Sequence, residues 1–90
     1  MPSVSHVLTR EYLESETTLS ITCSHQTNVL VMDDENYAAF KNDEPYDWIG
    51  GFSSVFPVRI TVSTPGYWNI VFSLPDTLSS SEFDYVINKR

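Results

Sequence analysis

The sequence predicts an all-β fold: an antiparallel β-sandwich of about six to eight short strands with one short helical crossover. Three observations carry that expectation. Apolar residues alternate with polar ones along most of the chain, at the period of a half-buried strand. Turn residues such as Pro65-Gly66 separate the alternating runs. Residues 33–41 resist the strand pattern and read as a helical crossover between strands. Two stacked sheets let 90 residues and 10.3 kDa close a continuous core without crosslinks. A closed five-stranded barrel is the alternative architecture. Either way the whole chain, 1–90, forms one domain.

Taken in order, the elements read as follows. Thr9-Arg10-Glu11-Tyr12-Leu13 is expected as a short helical turn. Leu19, Ile21 and Cys23 alternate with Ser20 and Thr22, which marks a strand with one apolar face. Asn28 to Met32 is apolar on both parities and suits a strand covered on both sides. Asp33 to Lys41 opens with acids and closes with a lysine, the charge order that complements a helix dipole, so one or two helical turns are expected there. In Pro57–Val62, Val58, Ile60 and Val62 point one way and Arg59 and Thr61 the other, with the proline at the strand start. Ser63-Thr64-Pro65-Gly66 then predicts a type II turn, and Tyr67–Leu74 returns with Trp68, Ile70, Phe72 and Leu74 on one face. These two runs predict a β-hairpin. After the loop 75–81, Phe83–Asn88 is expected as the last strand.

Composition narrows the function classes. Five Lys and Arg against twelve Asp and Glu leave a net charge of −7, which disfavours nucleic acid as a partner because phosphate contacts need clustered cations. No apolar run approaches the roughly 20 residues that cross a bilayer, and the first residues lack the basic-then-apolar pattern of a signal peptide. The single cysteine, Cys23, forms no internal disulfide and reads as a small buried hydrophobe. A cytoplasmic, reducing setting is expected, without membrane association. Unpaired sheet edges leave two states open, monomer or edge-paired dimer.

Candidate site residues fall into two groups. The first is Tyr46-Asp47-Trp48-Ile49-Gly50-Gly51-Phe52, where paired glycines among aromatics mark a bulge or a close approach of backbone or ligand. Tyr46, Trp48, Gly50 and Gly51 are joined by Arg59, a fork for an anionic group, and by Asn69, a polar residue within a strand. Together they describe a groove for a small anionic ligand. The second group is acidic: Asp33, Asp34, Glu35, Asp43, Glu44 and Asp47. It is the alternative site, a surface that docks a basic protein partner. His6 and His25 have no companions at zinc spacing, the acids lack the alternating loop of a calcium hand, and no nucleophile elbow occurs. Catalysis, a metal and a cofactor are therefore not expected, and the reading is a non-catalytic binding module.

Asn28-Val29-Leu30-Val31-Met32-Asp33, then Asn36-Tyr37, Phe40-Lys41, Gly50-Gly51, Pro57-Val58-Arg59-Ile60 and Gly66-Tyr67-Trp68 occur in an order that resembles a small bacterial family, domain of unknown function 1883. The resemblance covers about residues 6–74 and implies a compact β-sandwich. Related domains are attached to TIR domains, which implies a link to signalling or phage defence and makes a signalling nucleotide one ligand to consider. The sequence departs from that family at residues 42–47, acidic here and basic in relatives, and at Asn69, where histidine is common.

Overall fold

In the computed structural model the described residues are 6–74, 78 and 80–90. Seven strands form two antiparallel sheets. They are β1 (His6–Leu13), β2 (Thr18–Cys23), β3 (Thr27–Asp33), β4 (Ile49–Ser53), β5 (Val58–Thr61), β6 (Gly66–Ser73) and β7 (Tyr85–Lys89). One sheet has the order β1-β6-β3-β4 and the other β5-β2-β7. The fold is an all-β sandwich with one short helix, α1 (Asp34–Lys41), as the patterning predicts.

The core lies between the sheets. Leu19, Ile21 and Cys23 of β2 and Ile60 of β5 meet Val29 and Val31 of β3 and Ile70 and Phe72 of β6. β2 and β5 bury alternate residues, so their period of two is a direct imprint of one inward face. β6 also buries Asn69 and Val71 on its other parity, and β3 is covered twice. Its other parity, Leu30 and Met32, joins Val71 beneath α1, where Tyr37, Phe40 and Tyr46 pack on them. That second layer explains the continuous apolar run 29–32.

α1 starts where Asp33 accepts the backbone N–H of Asn36 at 2.8 Å, with Asp34 and Glu35 in the first turn and Lys41 in the last. None of its residues is fully buried, so its place depends on contacts with the sheet. At its C-terminal half, the ring of His6 meets Phe40 edge-on at 5.3 Å, and its Nε2 lies 3.1 Å from the Tyr37 hydroxyl.

Three expectations are corrected. Residues 9–13 are not a helical turn but the second half of β1, paired with β6 from Thr9↔Ile70 to Leu13↔Gly66. Long-range pairing decides that segment, which carries little helix signal of its own. Residues 57–74 are not a hairpin: β5 pairs with β2 in one sheet and β6 with β1 and β3 in the other. The Pro65-Gly66 turn carries the chain across the sandwich, so the apolar rows of β5 and β6 oppose each other face to face. A hairpin and a sheet-crossing arch share the same alternation, and only the pairing partner tells them apart. Residues 75–77 and 79 of the expected 75–81 loop lie outside the described residues, while Ser80–Glu82 form a short 3-10 turn. The last strand begins at Tyr85, after the buried Phe83.

Candidate functional site

Three strand ends and the start of α1 come together at one end of the four-stranded sheet: the end of β3, and the beginnings of β4 and β6. A cleft of about 340 Å³ opens there between the first turn of α1 (Asp33, Asp34, Glu35) and the 64–68 segment (Thr64 to Trp68). A second depression of about 160 Å³ adjoins it through Asp33 and Trp68, and is walled by Asn36, Asp47, Trp48 and Ile49. Both tryptophans of the chain line the second depression and Trp68 lines both, and the two adjoining depressions make up the groove at the start of α1.

Each wall has a local cause. Gly66 takes φ +150, a conformation that favours glycine, and starts β6 so that Tyr67 faces outward and Trp68 inward. The Trp68 indole N–H donates to the Thr64 carbonyl at 3.1 Å, which fixes the ring across the turn. Asn36 ties the two depressions together: its side chain donates to Asp33 Oδ1 at 2.9 Å and accepts the Asp47 backbone N–H at 2.9 Å. Asp47, and with it the approach to Trp48, is thereby anchored on the helix.

The electrostatics of the rim centre on Asp34. Arg10 of β1 grips its carboxylate with two hydrogen bonds of 3.0 and 2.6 Å, and Asn69 donates to Oδ1 at 2.8 Å. The Arg10 bonds first, and the Asn69 bond second, pull the Asp34 carboxyl down to about 2. Arg10 also lies 4.0 Å from the centre of the Tyr67 ring, which meets Tyr12 edge-on at 5.4 Å. Arg10 is therefore already neutralised. None of the residues lining the groove is a lysine or arginine, while Asp33, Glu35 and Asp47 line it with acid.

The first group of expected site residues is not brought together. Trp48 is 47 % exposed and does line the groove. Tyr46 instead packs on Phe40, ring centres 5.2 Å apart, as part of the layer that seats α1. Gly50 answers to a close backbone approach, but from its own sheet: a Cβ there would sit 2.1 Å from the Val29 carbonyl oxygen. Gly51 has φ +141 and faces the Trp48 ring. Arg59 projects from the outer face of the other sheet, opposite Ser20, and makes no hydrogen bond or ion pair among the described residues. Asn69 is fully buried under the start of α1, donating also to the Met32 carbonyl at 3.3 Å, so it supports the rim rather than meeting solvent.

The acidic group is split by the fold. Asp33 caps α1, Asp34 is bound by Arg10, and Glu35 and Asp47 line the groove. Asp43, at φ +57, and Glu44, whose N–H donates to Ala39 at 2.9 Å, belong to the exposed turn that ends the helix. Among the described residues no three His, Cys, Asp or Glu converge as a metal site.

Residues 4–88 match the family described as a domain of unknown function, DUF1883. The chain belongs to that family. The match extends beyond the 6–74 stretch that carries the resemblance in sequence. No curated protein and no solved structure matches the chain. The β-sandwich that the resemblance implies is the fold observed. Among the described residues no helix is long and apolar enough to cross a membrane.

Two contributors, Arg10 and Tyr67, carry no site signal in the sequence, whereas Trp68 is among the positions that the family resemblance offers as site candidates. Arg10 was hidden by placing residues 9–13 in a turn. Once β1 is a strand, Arg10 stands directly across from Asn69 on β6, and that pairing is the signal that locates it.

Proposed function

We propose that this DUF1883 chain is a non-catalytic binding module that docks a basic segment of a partner protein in the groove at the start of α1. One observation carries the reading: Asp33, Glu35 and Asp47 line the same pair of adjoining depressions as Trp48 and Trp68, and no lysine or arginine is among the lining residues. Aromatic faces and carboxylates together suit a guanidinium or ammonium group with an apolar stem. The alternative of a small anionic ligand has no cation to meet there, since Arg10 is committed to Asp34 and Arg59 belongs to the other sheet. The net charge of −7 adds steering toward a basic partner. A cytoplasmic setting fits the same reading, with the buried Cys23 thiol raised to about 11 by desolvation and held unreactive.

Selection of a displayed random peptide library on the folded chain tests the proposal. Enriched peptides should carry Lys or Arg, change the tryptophan emission, and weaken with added salt. Glu35→Gln or Asp47→Asn should each weaken them by roughly two- to fivefold. Enrichment of acidic peptides, or basic ones indifferent to both substitutions, refutes it.

A further inference from the structure

We infer that the partner segment is extended and adds as a strand to the free edge of β4 before its basic side chain enters the groove. This rests on the groove's proposed role as a basic-segment site. The two lateral sides of the sandwich differ. On the β1/β7 side polar bridges close the gap between sheets: Lys89 pairs with Glu11 at 2.6 Å, and the Thr9 and Tyr85 hydroxyls bond to each other. On the β4 side no such bridge occurs among the described residues. β4 ends the sheet order, and Phe52 and Val55 stand 65 % and 81 % exposed beside it. An unpaired edge with large apolar side chains is a template for another strand.

Position and charge identify the occupant. β4 begins at Ile49, which itself lines the groove beside Asp47, so a segment laid along β4 runs off its start directly into the acidic cleft. A second copy of this chain fits poorly, because each copy brings a charge of −7. The segment that fits has a few alternating apolar residues to cover Phe52 and Trp48, followed by Lys or Arg. At about 3.3 Å per residue, the five residues of β4 accommodate a short ladder.

The probe is a basic peptide recovered from the library selection. Methylating its backbone nitrogens one at a time should weaken binding by roughly tenfold at every second position and leave the positions between unchanged. Binding should also slow amide exchange within residues 49–53, and Phe52→Lys, at an exposed position, should weaken it while leaving the thermal midpoint near that of the parent. If recovered peptides are basic and salt-sensitive but tolerate methylation everywhere and leave 49–53 unprotected, the edge inference fails while the groove proposal stands. If no basic peptide is recovered, both fail. A concentration-dependent dimer dissolved by Phe52→Lys overturns the assignment by giving the edge to a second copy.

Discussion

Replacing Gly50 with alanine tests the geometry on which the start of β4, and hence one wall of the groove, depends. An added Cβ would lie 2.1 Å from the Val29 carbonyl oxygen and 3.2 Å from its carbon. The obstacle is backbone at the heart of the β3–β4 pairing, Leu30↔Gly50, so it has no rotamer by which to move away. The residue also holds φ +116, where a side chain costs about 1–3 kcal/mol. Gly66 separates the two effects, since it has φ +150 and nothing within 4 Å of its added Cβ. Gly66→Ala should therefore lose only the conformational part, about 1–3 kcal/mol. Gly50→Ala should lose that plus the partial separation of β4 from β3, a total above about 3 kcal/mol. For a domain of this size, 1 kcal/mol lowers the thermal midpoint by about 4–8 °C, so the two variants should be well separated. Urea unfolding followed by tryptophan emission gives both values. Equal losses in the two variants would refute the steric argument and the registry it assumes.

Other outcomes follow from the rim of the groove. Asp34 sits at about 2 in the fold against an ordinary value near 3.8, so its pairing stabilises fully above about pH 4 and fades as the pH falls through 2. The gap in thermal midpoint between the parent and Asp34→Asn should be constant at neutral pH and shrink in that acid window, and a gap that widens there contradicts the pairing. Asp33→Ala should cost about 0.5–2 kcal/mol by removing the cap of α1, whereas Asp33→Asn keeps the cap and should lose peptide affinity with little change in unfolding free energy. Asn69 Oδ1 is buried with no partner among the described residues while its amide donates to Asp34 and Met32. Asn69→Asp sets a second carboxylate beside Asp34 and should cost more than about 3 kcal/mol, and Asn69→Leu about 1 kcal/mol or less, as read by urea titration. Cys23 should resist thiol reagents until denaturant unfolds the chain; rapid labelling of the native protein would contradict its burial.

The layers of this fold were legible wherever a single face was buried. The rows Leu19-Ile21-Cys23 and Val58-Ile60-Val62 alternate because their strands bury one face only, Ile70-Phe72-Leu74 marks the core face of a strand whose other face α1 covers, and the acids-to-lysine order of 33–41 marks the helix by its dipole. What alternation does not encode is which strand lies next to which. That is why residues 57–74 read as a hairpin when they cross between sheets, and why residues 9–13 lost their strand. The site suffered the same loss. The groove is built by contacts among β1, β3, β4, β6 and α1, and its key ion pair joins residues 24 positions apart. Trp48, Asp33, Glu35 and Asp47 were visible as residue types that suit binding. Arg59 drew attention as a fork for an anionic group, although the arginine that shapes the rim is Arg10. The double glycine reads as a bulge or a close approach, and the close approach is found at Gly50, from the β3 backbone, while Gly51 meets only the Trp48 ring.

Because both tryptophans line the groove, their emission during titration with a library-selected basic peptide is the most direct probe of the central claim. A saturable change that shifts to higher peptide concentration in added salt, and again in Glu35→Gln, is the predicted result. Tight binding that leaves both tryptophans silent, or that ignores salt, would place the partner elsewhere on the protein.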